Sequence, residues 1–523
     1  MKFSLRIKVI IFGLLILLNL ILRYPSVPHE LGADSFGVHV AANTITRFGY
    51  AKWWIHPISI LGSYPYSMQS PVAFLLSGIS QGLGISVQSA MLLYSMILGV
   101  FGTFCAYILA GVLWDDDLYR FYVAFLFSTA QGILVFSTWT GHSRTLFVLT
   151  LPLFMYLLVK TRISIVRFCF LSALYTFLLV LTHHYIYFTI PIILSFIGLS
   201  VLYKFKDIKF AKSIKFSEEF IIYALFAGFI LMLIIPFFNR SLMYAEGSSG
   251  RYAHIILMIQ SYSRYFGVPI IFAIGGIVYL ILKPKKEFNE YFILLSFIGM
   301  TPLLYIITYM KWFILFLLPV IGALGLMNLT NLHVNKKVLN TYIIVFLLIS
   351  IAFTGYFQFI HFSNDSDPEK RYLEESTYKA ALWGKDNIDS EKNMIYGSYV
   401  SNRFPAISEI PTLSGLEATD LSYGFVDPDS IEVIQVYPPT SVGFYYQDPY
   451  RLVNDSGTDW SYHMILRSDV NVKGSWAQRL IQKYNISYFA DDTEFYNAFS
   501  QSVQLSKNRL YDNGEIWVWD LQN

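Results

Sequence analysis

Long apolar runs alternate with short polar loops through the first two-thirds of the chain. A membrane-spanning helix needs about 20 mostly apolar residues. Eleven runs of roughly that length stand near 5–23, 89–113, 120–138, 145–161, 166–183, 186–203, 219–237, 266–282, 291–309, 312–331 and 339–360. The segment 69–83 is apolar but short and rich in Gly and Ser, which is typical of a re-entrant or interfacial piece. The pattern predicts a mostly α, polytopic bundle of about 11 spans, with 10–13 possible.

Residues 361–523, called the tail below, lack such runs and predict a soluble α/β domain. The segment TYKAALWGKDN has the sequence pattern of a helix, whereas NMIYGSYV and ISYFA have the pattern of strands. KNRLYDNGEIWVWDL contains two apolar-rich strands around Asn-Gly, the dipeptide that favours a tight hairpin turn. We therefore expect a transmembrane domain over 1–360 and a separate domain over 361–523.

Charge divides the chain at the same place. Residues 1–360 hold 25 Lys and Arg against 11 Asp and Glu, whereas the tail holds 13 against 24. Only 14% of all residues are charged, compared with roughly 25% in soluble proteins. The basic residues sit in short loops between apolar runs, a pattern of membrane orientation that argues against nucleic-acid binding. Cys105 and Cys169 both lie in apolar runs, which excludes a disulfide framework and a Cys-based metal site.

The distribution of basic residues predicts which side each loop faces. With a cytoplasmic N-terminus, 17 of the 25 basic residues of the membrane part fall on inside loops, as the positive-inside rule requires. An odd number of spans then puts the tail outside. The first apolar run continues to Leu22 without a small-x-small cleavage site, which indicates an uncleaved anchor. We expect a multi-pass protein of the cell membrane, with a cytoplasmic N-terminus and an extracytoplasmic tail.

The first outside loop, about 24–88, carries two of the few acidic residues on the outer side. Glu30 and Asp34 are four apart and would share one face of a helix. Gly32 and Gly37 nevertheless make a regular helix doubtful in this stretch. Charges near a bilayer are expensive, so those retained on the outer side are candidates for function.

Three further outer segments carry polar side chains. TWTGHSRT offers His142 and Arg144, and THHYIY offers His183 and His184. The loop 238–265 offers Arg240, Glu246, Arg251, His254 and Arg264. For a lone outer arginine the alternative role is contact with lipid head groups, and for the paired histidines it is a capped helix end.

Other motifs argue against several functions. The run Asp115–Asp117 resembles a metal motif, but we expect it to be a solvated loop on the cytoplasmic side. The sequence has no His-Glu-x-x-His, P-loop or Gly-x-Ser-x-Gly motif, which disfavours zinc peptidases, ATP-driven pumps and serine hydrolases.

The motifs GADSFGVH, HPISILGSYPYS, GHSRT and LTHHY, in this order of spans and loops, resemble the GT-C superfamily of lipid-phosphosugar-dependent glycosyltransferases, particularly its archaeal and bacterial members. The resemblance implies a catalytic carboxylate at Asp34. The chain departs from the oligosaccharyltransferase branch, since it has no Trp-Trp-Asp-Tyr-Gly in the tail and no Asp-x-Asp in the second outside loop. Transfer of one sugar, hexosyl or pentosyl, is therefore expected, rather than of a whole glycan to asparagine.

Displacement at an anomeric carbon suggests a role for each candidate, because it needs a base for the acceptor and positive charge for the departing phosphate. Asp34 is the expected general base. The expected contacts to the donor and its phosphate are Arg144, Arg251, Arg264, His142, His183 and His184. Glu30 and Glu246 are supporting acids, and a divalent metal (Mg or Mn), if any, would use Asp34, His184 and Glu246. The expected partners are membrane lipids, a polyprenyl-phosphate sugar donor and a protein, glycan or lipid acceptor.

Two other functions remain open at this point. A transporter or flippase of lipid-linked sugars would show inverted repeats and ionisable residues near mid-membrane, and neither is visible in the sequence. A non-catalytic scaffold would not need Asp34 or the arginines to converge. Convergence of Asp34, Arg144, His183 and Glu246 in one outward cavity distinguishes the enzyme from both.

Overall fold

The computed structural model shows a mostly helical chain with a small sheet near the C-terminus. It describes residues 1–49, 70–161, 164–205, 217–238, 262–303, 310–330, 335–363, 372–389, 393–396, 403–410, 432–435, 450–453, 471–474, 478, 481–482, 486–492 and 498–523. Its helices before the tail are α1 Leu5–Leu22, α2 Ala33–Phe48, α3 Ser70–Leu83, α4 Val87–Leu113, α5 Asp117–Thr129, α6 Gln131–Val135, α7 Ser143–Thr161, α8 Ile165–Thr182, the 3-10 helix His184–Thr189, α9 Ile190–Phe205, α10 Glu218–Phe238, α11 Ile270–Leu282, α12 Phe288–Met300, α13 Met310–Phe313, α14 Leu317–Thr330 and α15 Lys336–Ser363.

Several helices have the length and composition of membrane spans. Five described helices are long and apolar enough to cross a bilayer: Leu5–Leu22, Val87–Leu113, Ser143–Lys160, Ile186–Lys204 and Lys336–Ile360. Four shorter apolar helices accompany them: Pro71–Leu83, Val166–Thr182, Ile270–Leu282 and Leu317–Thr330. The prediction of a polytopic helical membrane protein is confirmed.

Glycines allow a close crossing between helices α11 and α14. A Cβ on Gly276 would collide with the carbonyl oxygen of Ile321, and a Cβ on Gly325 with that of Phe272. Small residues let helix backbones approach closely, which is how membrane helices gain packing energy without a hydrophobic driving force.

A polar network that the sequence did not single out lies inside the bundle. Arg23, at the end of α1, is fully buried, and its Nε donates to Oγ of Ser137 at 3.1 Å. Asn19 Nδ2 donates to Oγ of Ser128 at 2.9 Å. These bonds tie α1 to α5 and to the turn after α6, so the first span is an integral part of the bundle.

The acidic run before α5 is only partly the solvated loop that the sequence predicted, because Asp115 is exposed whereas Asp117 is buried. The carboxylate of Asp117 is fully buried and accepts from Nζ of Lys8 at 2.8 Å, while Arg120 Nη1 lies 3.5 Å from its other oxygen. Asp116 binds the N-terminal amine, and Asp115 binds Lys2. Asp117 can be buried because positive charge from the N-terminal residues compensates the loss of water around its carboxylate.

The tail contains helices and strands as predicted. They are α16 Glu375–Asn387, β1 Asn393–Tyr396, α17 Arg403–Ser408, β2 Glu432–Gln435, β3 Tyr450–Val453, β4 Ile486–Asp492, α18 Ala498–Gln504, β5 Asn508–Asp512 and β6 Ile516–Asp520. Four strands form one sheet in the order β1-β4-β6-β5, in which only β1 and β4 are parallel, while β2 and β3 form an antiparallel pair. The predicted hairpin is β5–β6, and Gly514 takes φ +92° in its turn.

Candidate functional site

The segment with Asp34 forms a regular helix, contrary to the doubt raised by its glycines. Gly32 caps α2 at φ +90°, and the helix continues through Gly37 to Phe48. Glycine inside a helix costs about 1 kcal/mol relative to alanine, and the burial of neighbouring apolar residues on α2 offsets that cost. Asp34 is the second residue of α2. The side chain of Asp34 lies outside the described part of the structure.

Glu30 does not share a helical face with Asp34, because Glu30 precedes the helix. Its Oε2 lies 2.6 Å from Nδ1 of His39, one turn and a half into α2. Both side chains are buried, at 0% and 3% exposure, and Glu30 Oε1 has no hydrogen-bond partner among the described residues. The pair therefore spans the first turn of α2, where Asp34 sits. The sequence suggested Glu30 as a supporting acid but did not indicate its contact with His39.

The two motifs GADSF and GHSRT meet in the fold. A Cβ on Gly32 would collide with Nε2 of His142, so only glycine lets the start of α2 approach this ring. The backbone N–H of Gly141 donates to Oγ of Ser35 at 2.7 Å, and the N–H of Leu31 donates to the carbonyl of Trp139 at 3.0 Å. His142 is buried and thus lies against the turn that carries Asp34.

Arg144 and Arg264 border one cluster of aromatic rings, Phe136, Trp312 and Tyr265. The guanidinium carbon of Arg144 lies 5.0 Å from the ring centroid of Phe136, which is 4.1 Å from that of Trp312. Trp312 is 3.9 Å from Tyr265, and the guanidinium carbon of Arg264 lies 5.7 Å from the Tyr265 ring. Chain segments far apart in sequence thus place two of the three candidate arginines around the same rings.

The two adjacent histidines occupy the end of α8. His183 caps that helix, with its N–H bonded to the carbonyl of Leu179 at 3.1 Å. Its ring is buried at 5.8 Å from Phe147 and 5.7 Å from Phe313. The backbone of His184 begins the 3-10 helix, while its side chain lies outside the described part of the structure. A helix cap is thus one role of this motif.

Several predicted site residues fall outside the described residues. These are Arg240, Glu246, Arg251 and His254. The side chains of Asp34 and His184 also lie outside the described part of the structure. The suggested metal ligands Asp34, His184 and Glu246 therefore remain a prediction. Within the described ranges, no group of three or more His, Cys, Asp or Glu side chains could hold a metal ion.

An apolar groove that the sequence did not predict lies beside these motifs. Its volume is about 560 Å³, and α3, α4, α7 and α8 form its walls. Lining residues are Pro71, Phe74, Leu75, Phe101, Leu146, Thr150, Leu153, Tyr175, Leu178, Leu179, Leu181 and Thr182. Leu146 follows Arg144 by two residues, and Thr182 precedes His183. The groove depends on the spacing between helices, which periodicity along the chain does not specify.

Comparison with known proteins places the fold. No family model matches the chain, and no curated protein matches it. An Archaeoglobus fulgidus oligosaccharyltransferase tethered to an acceptor peptide superposes with TM-score 0.58 and 11% identity over 94% of this chain and 70% of its own. The same enzyme with Zn and sulfate gives TM-score 0.54 and 15% identity over 97% and 72%.

A second type of enzyme matches over nearly the full length of both chains. ArnT from Cupriavidus metallidurans bound to undecaprenyl phosphate superposes with TM-score 0.57 and 8% identity over 99% of this chain and 98% of its own. At such low identities the likeness shows the fold. Both neighbours are GT-C membrane glycosyltransferases, and this chain shares their fold, in agreement with the resemblance of its motifs.

Proposed function

We propose that this protein is a membrane glycosyltransferase that moves one sugar from a polyprenyl-phosphate-linked donor to an acceptor on the outer face of the membrane. The observation that carries the proposal is the contact of Gly32 with His142, which brings GADSF and GHSRT together inside a GT-C fold. A scaffold would have no need for this convergence of motifs from separate outer segments.

The proposed reaction is a displacement at the anomeric carbon of the donor. Asp34 takes the proton of the acceptor hydroxyl while the acceptor oxygen forms its bond to that carbon. The bond from carbon to phosphate oxygen breaks, and polyprenyl phosphate leaves with the electron pair. Arg144 and Arg264, with Arg251, stabilise the phosphate, since a guanidinium binds it in bidentate fashion. His142, His183 and His184 orient the donor, and Glu30 and Glu246 support the charge of the site.

The apolar groove supports a donor with an isoprenoid tail. Its lining is almost wholly hydrocarbon, and it begins within two residues of Arg144 and next to His183. We propose that the isoprenoid tail of the donor lies in this groove. The likeness to ArnT, whose structure contains undecaprenyl phosphate, adds to this support.

The remaining features of the proposal concern sidedness, acceptor and metal. We place the N-terminus in the cytoplasm and the tail, 361–523, outside, with the membrane domain over 1–360. The acceptor is a protein, glycan or lipid, and the acceptor peptide of the archaeal neighbour is one example of the first. Carboxylates and an imidazole, as in Asp34, Glu246 and His184, are donors that suit divalent metals, and a bound Mg²⁺ or Mn²⁺ would add positive charge near the phosphate.

The test is the Asp34→Asn variant in proteoliposomes with a labelled polyprenyl-phosphate sugar. Asparagine is nearly isosteric but cannot take the proton, so we expect transfer to fall about 10²–10⁴-fold. Asp386→Asn, a substitution on the exposed face of α16, is the matched control and should leave transfer unchanged. Near-normal transfer by Asp34→Asn would show that Asp34 is not the base.

A further inference from the structure

Helix α2 belongs to two hydrophobic cores. Ala41, Ala42 and Ile45 pack into the core of the membrane bundle. Phe36 and Val40 pack into a separate core that is otherwise built from the tail, including Leu373, Phe404, Ala406, Ile410, Ile516 and Val518. The helix that carries Asp34 therefore lies between the bundle and the tail and is shared by both.

Polar contacts attach α2 to the tail, both just before the helix begins and in its middle. The N–H of Leu373 donates to the carbonyl of Glu30 at 3.0 Å, and Leu31 forms an antiparallel bridge with Tyr372. Asn43 Nδ2, in the middle of α2, donates to the carbonyl of Ala406 at 2.8 Å. These bonds engage main-chain atoms of the tail, so they fix the height and rotation of α2.

Side chains at the approach to α2 add a further attachment. His29 Nε2 lies 2.7 Å from Oε2 of Glu375, at the start of α16. The His29 ring stacks on Tyr378 with ring centroids 3.8 Å apart. The guanidinium carbon of Arg403 lies 5.1 Å from the Phe36 ring.

We infer that the tail is a positioning element of the active site, because its contacts fix the helix whose first turn carries Asp34. This inference rests on the proposed function and assigns a role to the tail within it. Misplacement of a reacting group by about 1 Å can cost about 10²-fold in rate. Loosening the tail should therefore lower kcat, whereas the donor KM should change little, because the Arg144 guanidinium packs on the ring of Phe136, which belongs to the membrane bundle.

The first measurement uses full-length Asn43→Ala in nanodiscs. Loss of this hydrogen bond should make amide exchange in α2 about fivefold faster and lower kcat by about tenfold at an unchanged donor KM. Arg509→Gln is the matched control: it removes a solvent-exposed ion pair with Asp512 on the tail hairpin and should change neither quantity. Unchanged exchange and unchanged kcat in Asn43→Ala would overturn the inference.

The second measurement is rescue by a disulfide. The Cα atoms of an antiparallel bridge lie about 4.5–5.5 Å apart, within the roughly 4.4–6.8 Å that a disulfide spans. The disulfide variant combines Leu31→Cys and Tyr372→Cys with Asn43→Ala, and the exposed Cys169 is replaced by Ser. When oxidised, this variant should regain slow amide exchange in α2 and the wild-type kcat. Reduction should remove both gains.

The outcomes separate the inference from the function on which it rests. If the disulfide forms and slows exchange in α2 but kcat stays low, the tail does not act through the position of this helix, and the inference is wrong. Absence of sugar transfer by the wild-type protein, with normal protection of α2, would instead contradict the proposed function.

Discussion

Removing one partner of the buried Glu30–His39 pair should loosen the first turn of α2 sharply. The two side chains are almost completely inaccessible to solvent, so water does not screen their interaction. Breaking a buried pair by removing one partner costs about 3–5 kcal/mol, because the other polar group stays buried without compensation. His39→Leu leaves both carboxylate oxygens of Glu30 without partners among the described residues, since Oε1 already has none.

A double-mutant cycle separates the free energy of the Glu30–His39 interaction from the effect of altered packing. Glu30→Leu combined with His39→Leu replaces both polar groups by apolar ones, which is often nearly neutral. We therefore expect His39→Leu to cost about 3 kcal/mol and the double variant to recover most of that loss. Glu30→Gln keeps an acceptor for His39 and should cost less than half as much.

The assay is hydrogen exchange of the α2 amides in the purified, reconstituted protein, which reports local opening free energies. A coupling energy of about 2 kcal/mol or more between positions 30 and 39 is expected. Additive single effects, to within about 0.5 kcal/mol, would refute the reasoning, because they would mean that the pair contributes nothing beyond two independent side chains.

Two further predictions follow from the structure. Burial raises the pKa of Asp491 in β4 to about 7, so the folded state keeps a proton that the unfolded state releases near pH 4. The stability of the tail should therefore fall as the pH rises from about 4 to 7. In pH-dependent unfolding, Asp491→Asn should abolish that fall, whereas Asp520→Asn should not. Arg144→Lys and Arg264→Lys should each weaken binding of a polyprenyl-phosphate donor, because lysine keeps the charge but loses the planar fork; unchanged donor binding in both would make these arginines lipid anchors.

The pattern along the chain was enough to predict the helical membrane part and four strands of the tail, β1, β4, β5 and β6, but not β2 and β3. The hairpin at Asn513-Gly514 was predictable because its turn chemistry is local. The helix through Gly32 and Gly37 was not, because local propensity argues against it and the apolar cover that stabilises α2 comes from residues such as Leu373 and Phe404, far along the chain. Tertiary burial overrode propensity at this point.

The candidate site was predictable as a set of residue types but not as a set of contacts. The sequence suggested Glu30, His142 and Arg144 from their expected outer location and from the motif resemblance. It gave no sign of the Glu30–His39 bond, because that contact depends on where α2 begins. The burial of Arg23 was also missed, because one of its partners, Ser137, is 114 residues away along the chain and meets it only in the folded bundle.

The most direct test of glycosyl transfer measures both products at once. Wild-type protein in proteoliposomes is given a labelled polyprenyl-phosphate sugar and an outer-face acceptor, and the glycosylated acceptor and released polyprenyl phosphate are quantified together. The proposed displacement predicts equal amounts of the two products, with loss of both in Asp34→Asn. Label that remains on polyprenyl phosphate and only moves between leaflets would contradict the proposal and identify the protein as a flippase.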